Sequence, residues 1–142
     1  MRELINFKKY TGYFHDGDLN NIQTDGQDIR LFIESAQLDQ EEFEPGFSLN
    51  EDDRIQGILY LKNVSKIQIN DKISEKPLHV ISECGEIYKL KLNDKQFTLV
   101  MEWVKFTDKT FREFMVYEIS FEEAVFYIDE SQKNSSYHQP KS

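Results

Sequence analysis

Apolar residues alternate with polar ones along most of this chain, which is the spacing of half-buried β-strands. Between residues 28 and 34, Ile29, Leu31 and Ile33 take every second position. Other apolar-rich runs predict further strands at residues 20–24, 57–62, 64–69, 78–81, 86–92, 114–119 and 124–128. Residues 97–104 are apolar on both faces, as in a central strand. Eight or nine short strands with short connections predict an all-β fold, arranged as an antiparallel sandwich or barrel.

Turn residues separate these runs. Asp25-Gly26 lies between two extended segments and predicts a hairpin, because a type I′ turn needs positive φ at both central positions. The tetrapeptide of residues 83–86, Glu-Cys-Gly-Glu, predicts a second turn. The strand after it then carries Lys89 and Lys91 on its water-facing side.

Two segments fit more than one element. Ser120 with Glu123 matches a helix capping box, whereas Ala124, Phe126 and Ile128 alternate as in a strand. The β-branched and aromatic content of residues 120–128 favours the strand, and the helix stays an alternative. Residues 2–13 fit either a helical turn or an edge strand.

The length of 142 residues suits one domain. Hydrophobic residues are 39% of the chain and aromatic residues 13%, which indicates a folded core. We assign residues 1–130 to a single β-rich domain. Residues 131–142 contain no acid and almost no apolar side chain, so we expect a disordered tail there.

The charge balance limits the classes of partner. Seventeen Lys and Arg against 26 Asp and Glu give a formal net charge of −9. Nucleic acids and anionic membranes attract clustered basic residues, so neither is an expected partner. The charge is compatible with a basic protein partner or with cations. The sequence shows no apolar segment long enough to span a bilayer and no signal-peptide pattern, and we expect a cytoplasmic protein.

Residues 37–53, the acidic segment, contain seven acids and no base. We expect a loop or short helix between strands. Most charged runs are solvated loops, and the two phenylalanines here would then pack under the loop. A docking surface is the alternative, since acids speed association with a basic partner and buried aromatic anchors hold it. The candidate binding residues are Glu41, Glu42, Phe43, Glu44, Phe47, Asp52 and Asp53.

His15, Asp16 and Asp18 form the candidate metal site, because imidazole and carboxylate groups bind divalent cations. No second histidine follows at a metal-ligand spacing, and the residues of an EF-hand calcium loop are incomplete. We therefore expect a turn before the first hairpin strand and no tight metal site.

The sequence carries no recognisable catalytic set. Cys84 is the single cysteine, and its acidic neighbours oppose the thiolate that a nucleophile needs. Glu102 lies in a run that is apolar on both faces, where we expect a salt bridge with Lys105, Lys109 or Arg112, or a place in a pocket. No phosphate-binding or dinucleotide motif occurs, so we expect a non-enzymatic protein without a cofactor.

Residues 14–19, Phe-His-Asp-Gly-Asp-Leu, lead into an Ile-rich hairpin, Glu102-Trp103 follows in a late strand, and Ile119 to Phe126 close the domain. This layout, over residues 13–128, resembles small bacterial β-rich proteins, some of which are immunity proteins of polymorphic toxin systems. The resemblance implies a non-enzymatic protein that binds another protein in the cytoplasm. A small-molecule- or metal-binding β-barrel is the alternative.

Overall fold

A computed structural model describes residues 1–108 and 110–130 of the protein. The predicted disordered tail, residues 131–142, lies outside the described residues. Within them the chain forms ten strands, numbered β1 to β10 in chain order: Arg2–Glu3, Asp18–Asp25, Asp28–Gln37, Arg54–Lys62, Lys66–Ile69, Lys72–Ile73, Cys84–Leu92, Gln96–Val104, Arg112–Ser120 and Glu123–Ile128.

The ten strands belong to one antiparallel sheet. Their order across the sheet is β1-β10-β4-β3-β2-β7-β8-β9-β5-β6. Strands account for 53% of the residues and helical turns for 9%, which confirms the all-β prediction. Two very short strands, β1 and β6, form the sheet edges, and this explains why the sequence predicted fewer strands than the structure has.

The sheet consists of two halves of five strands joined at one place. β2 and β7 share a single residue pair, Asp18 opposite Glu86. Just beside it, the Asp16 N–H donates to the carbonyl of Ile87, and the Ile87 N–H donates to the carbonyl of Gly17. Both halves nevertheless contribute to one core, because a single cluster of buried side chains includes residues from each.

Alternate residues of the long strands supply that core, as the sequence pattern predicts. At its centre the indole N–H of Trp103 donates to the hydroxyl of Tyr117 at 3.0 Å, which satisfies the buried indole donor. A 3₁₀ helix, Phe7–Phe14, covers one side of the core, and the Phe7 ring stacks on Phe126 with centroids 4.2 Å apart.

Both interpretations of the N-terminal residues hold, each for a different part. β1 is an edge strand paired with β10, and the 3₁₀ helix follows it. Residues 123–128 form the strand β10, so the helix alternative for this segment is wrong. The acidic segment connects β3 to β4 and contains a short 3₁₀ helix, Gln40–Glu42, as expected for a loop or short helix.

The first hairpin forms as predicted, but its turn lies one residue further along. Asp25 pairs with Asp28, so the central residues are Gly26 and Gln27. Gly26 has a φ of 61°, whereas Gln27 is not among the residues with positive φ. Glycine at the first central position is typical of a type II′ turn, and the predicted type I′ turn is therefore wrong.

Two other predictions between residues 78 and 86 are wrong. Residues 78–81 form no strand and pair with no strand of the sheet. They belong to a loop, from which the side chain of Leu78 packs into the core. Cys84 and Gly85 begin β7 and do not form a turn. Gly85 is in the strand for a packing reason, since a Cβ there would lie 2.5 Å from Cζ3 of Trp103.

Candidate functional site

Four carboxylates lie side by side across the middle of the sheet. Asp18 is directly opposite Glu34 on one side and Glu86 on the other, and Glu86 is directly opposite Glu102. Directly paired residues project from the same face of a sheet. All four are half-buried, and they project away from the core because their sequence neighbours Leu19, Ile33, Ile87 and Met101 are buried. We call these four residues the carboxylate row.

Like charges in directly opposed positions destabilise a sheet, and they contribute to the raised pKa values of Glu86 and Asp18. Burial raises the pKa of Glu86, and the carboxylates of Asp16, Glu102 and Asp18 raise it further. Burial also raises the pKa of Asp18, with a contribution from Glu34, while the guanidinium of Arg54 opposes the rise. The row therefore stores electrostatic repulsion in the folded protein.

Partners on either side neutralise part of this charge. Arg54 lies 3.5 Å from the carboxylate of Asp18. Arg112 lies 3.4 Å from the carboxylate of Glu102, which is one of the salt bridges expected for this residue. The side-chain amide of Asn50 donates to Glu34 at 2.7 Å. Among residues 1–108 and 110–130, no Lys or Arg forms such a contact with Glu86.

Two exposed aromatic rings border the row. Phe114 is directly opposite Glu102, and its ring meets that of Tyr88 edge to face with centroids 5.9 Å apart. Tyr88 lies at a β-bulge, because the register between β7 and β8 shifts between Ile87 and Lys89. The bulge interrupts the predicted alternation of β7. We call Tyr88 and Phe114 the aromatic pair.

The candidate metal residues meet the row at this place. Asp16 has a φ of 67° and forms a turn with His15 that leads into β2. The His15 ring lies 5.4 Å from that of Tyr88, and its Nε2 lies 3.6 Å from a carboxylate oxygen of Asp16. Within the described part of the chain, no three His, Cys, Asp or Glu side chains are arranged to hold a metal ion.

Several candidate residues of the acidic segment contact the protein itself. Glu44 accepts hydrogen bonds from Tyr10 at 2.9 Å and from Asn6 at 3.1 Å, and these bonds lower its pKa. Phe43 is 4% exposed and packs edge to face on Tyr10. The Phe43 side chain therefore packs under the loop, as the interpretation of the segment as a solvated loop predicts.

Glu42 and Phe47 also contact other residues of the protein. Glu42 accepts from the Tyr13 hydroxyl at 3.1 Å and completes a capping box with Asp39. The Phe47 ring is half-buried, with the guanidinium of Arg2 over it at 4.2 Å.

Glu41, Asp52 and Asp53 are the candidate residues of the segment that project into solvent with no contact described above. The segment adjoins the row through Asn50, which is buried. The Asn50 amide group donates to Glu34 of the row, and its side-chain oxygen accepts from the N–H groups of Asp52 and Arg54. Asp52 and Asp53 both donate their backbone N–H groups to Asn50, so these two exposed acids lie near the Glu34 end of the row.

Cys84 lies in β7 near the row, and the surroundings do not favour its thiolate. Burial raises the pKa of the thiol, and the carboxylates of Asp18, Glu86 and Glu83 raise it further. A reactive cysteine needs the opposite environment.

A cavity of about 560 Å³ lies elsewhere, between the N-terminal segment and the strands β4 and β10. Apolar side chains such as Leu59 and Phe126 line part of it, and the Lys8–Asp94 ion pair at 3.0 Å lies at its rim. Its size is within the range of small-molecule sites. The row and the aromatic pair are not among its lining residues.

The sequence analysis identified Asp18 and Glu102 but missed Glu34, Glu86 and the aromatic pair. Each missed acid does carry a local signal, since it is a carboxylate between two inward-facing residues of a strand. What the sequence lacks is the strand order, which places β2 beside β7.

Comparisons of the chain with family models, with curated proteins and with solved structures found no match. None of the helices in the described residues is long and apolar enough to cross a membrane. The arguments for function therefore rest on the carboxylate row, its aromatic border and the acidic segment.

Proposed function

We propose that this chain is a non-enzymatic protein-binding module whose acidic outer face docks a basic protein, as an immunity protein docks a toxin. The observation that carries the proposal is the carboxylate row, in which four adjacent strands each present an acid on the same face. Proteins accept such destabilising arrangements where function requires them. The exposed acids Asp52 and Asp53, which adjoin the row through Asn50, extend the docking face.

A basic partner suits this face for two reasons. The body of the chain, residues 1–130, has a formal charge of −11, because the last twelve residues carry two lysines and no acid and the whole chain has −9. A field of this sign steers a positively charged protein and raises its association rate. Neutralising Glu86 and Asp18 on docking also relieves the repulsion within the row.

The test uses the protein encoded beside this gene, if its sequence is basic. Association rates are measured at about 50 mM and about 300 mM salt, which differ in the range of charge screening. We expect association of the wild-type chain to slow markedly at the higher salt. The double variant Glu86→Gln, Glu102→Gln should associate more slowly at low salt and depend less on salt.

The matched control removes the same charge from another place. Glu122 and Glu123 are exposed at the opposite end of β4, where Glu123 pairs with Lys62. The double variant Glu122→Gln, Glu123→Gln should behave almost as wild type. Equal rates and equal salt dependence for both double variants would contradict a docking role for the row. Failure to bind a basic neighbouring gene product would count against the toxin-binding role.

A further inference from the structure

Both rings of the aromatic pair are exposed to solvent, although they contact each other. Tyr88 is 54% exposed and Phe114 is 52% exposed, and both lie on the outer face beside the carboxylate row. Large apolar side chains exposed together, with polar groups around them, are typical of interaction sites. The rings therefore need an explanation beyond packing of the core.

Glu86 is directly opposite Glu102, which is itself directly opposite Phe114, and no Lys or Arg of residues 1–108 and 110–130 forms an ion pair with Glu86. The groups that raise its pKa, apart from burial, are the acids Asp16, Glu102 and Asp18. Its neighbour Glu102 is already paired with Arg112. An added positive charge at Glu86 would be attracted by all of these carboxylates.

Elsewhere on the same face, an aromatic ring beside a carboxylate already has cations of the protein itself over it. The Tyr60 hydroxyl donates to Asp28 at 3.0 Å, and the Tyr60 ring has Arg30 at 4.6 Å and Lys62 at 5.3 Å over it. There the protein supplies its own cations to a ring beside a carboxylate. Within residues 1–108 and 110–130, no Lys or Arg lies over Tyr88 or Phe114.

We propose that the aromatic pair and Glu86 together receive one arginine side chain of the basic partner. The guanidinium stacks on an exposed ring of the pair and donates hydrogen bonds to the Glu86 carboxylate. Arginine suits this site better than lysine, because its planar group stacks on aromatic faces and bonds a carboxylate through two parallel N–H groups. Arginine is also enriched among the residues that dominate binding energy at interfaces. The inference rests on the proposed function and names the side chain that its docking face recognises.

The test begins with a probe that needs no identified partner. Three blocked tripeptides with central arginine, lysine or citrulline are titrated into the full chain, and amide NMR signals are followed. Citrulline keeps the shape of arginine and lacks its charge. We expect the arginine peptide to shift the signals of Tyr88, Phe114 and Glu86 most, the lysine peptide less, and the citrulline peptide hardly at all. Equal shifts from the arginine and citrulline peptides would overturn the inference, and equal shifts from arginine and lysine would overturn the choice of arginine.

Ring variants test whether the aromatic pair is part of the site. Tyr88→Ala and Phe114→Ala should each weaken binding of the arginine peptide by at least about threefold, since an exposed cation–π contact is a modest interaction. Phe106→Ala is the matched control, because Phe106 is 72% exposed in the loop after β8. Tyr88→Leu keeps apolar bulk at the bulge and should weaken binding as well. Unchanged binding in folded Tyr88→Leu and Phe114→Ala would overturn the inference.

The same variants separate this inference from the proposed function. If Glu86→Gln, Glu102→Gln slows association of the basic partner while Tyr88→Leu and Phe114→Ala do not alter its dissociation, the docking face stands and the arginine site is wrong. If both sets of variants bind the partner as wild type does, both proposals fail. Faster dissociation of the ring variants, with unchanged association rates, supports the arginine site, because anchors act mainly on the off-rate.

Discussion

A single residue of the carboxylate row, such as Glu86, introduces electrostatic repulsion that its position in the strand does not require. Glu86 is flanked in sequence by Gly85 and Ile87, which face the core, so any polar residue would satisfy the alternation at this position. A carboxylate here instead meets Asp18 and Glu102 directly across the neighbouring strands. The choice of charge, rather than of polarity, is what points to function.

Removing that charge should stabilise the folded chain at neutral pH. The folded-state pKa of Glu86 is raised above the ordinary value of 4.5, so the ionised form is disfavoured in the folded state. Its contribution to stability falls as pH rises from below 4.5 through the raised pKa, and it stays low at pH 7. We expect Glu86→Gln to raise the free energy of unfolding at pH 7 by on the order of 0.5 kcal/mol.

Urea unfolding at pH 7 and near pH 4 measures this effect. The gain should shrink at the lower pH, because the protonated glutamic acid then resembles glutamine. Glu123→Gln, which removes an acid paired with Lys62 at 3.7 Å, should bring no gain at either pH. A loss of stability in Glu86→Gln at pH 7 would show that the row is not under repulsion.

At the scale of strands and turns, the sequence pattern predicted those elements whose conformation depends on neighbouring residues in the chain. The long strand β3 follows from alternation alone, because every second residue between 28 and 34 is apolar in the sequence and buried in the structure. The sequences of β4 and β8 are apolar on both faces over most of their length, yet these strands also bury every second residue. The failures have causes that lie elsewhere in the chain. Glycine is typical of turns, but Gly85 lies in β7. A glycine is needed there because Trp103, directly opposite in β8, leaves no room for a Cβ.

Gly85 should tolerate no larger side chain. A Cβ at this position would lie 2.5 Å from Cζ3 and 2.8 Å from Cε3 of the fully buried Trp103. We expect Gly85→Ala to destabilise the protein by about 1–3 kcal/mol, the usual cost of overpacking a core. Thermal unfolding followed by tryptophan fluorescence measures this loss.

Gly12→Ala is the matched control, since a Cβ at Gly12 has no atom within 4 Å. Its melting temperature should stay close to that of the wild type. If the two variants melt together, close packing against Trp103 is not the reason for glycine in β7.

At the scale of the whole molecule, the candidate site could be predicted only in part. Composition indicated an acidic surface, and Asp16, Asp18 and Glu102 stood out in the sequence. The basic partner inferred from the composition stays a prediction. These acidic residues come together because β2 lies beside β7 in the sheet. In the sequence the two strands are far apart, with 58 residues (83 − 25) between Asp25 at the end of β2 and Cys84 at the start of β7. Alternation specifies the face of a residue but not the neighbouring strand, so no local pattern could have joined Asp18 to Glu86.

The junction of the two sheet halves has a consequence for how the molecule opens. β2 and β7 share one residue pair and the two nearby hydrogen bonds of Asp16 and Ile87, so little backbone pairing holds the halves together at this point. Local opening should therefore begin there, with amide hydrogens at Asp16 and Ile87 exchanging faster than that of Leu99 in central β8.

A partner seated on the carboxylate row would span this junction and clamp both halves. Bound partner should then slow hydrogen exchange at Asp16 and Ile87 far more than at Leu99, which mass spectrometry of the exchanged protein can follow. Exchange at the junction that is already as slow as at Leu99 in the free protein would contradict this view. Binding of the partner would then stabilise the closed sheet, so that a variant that loosens the junction should also weaken affinity for the partner.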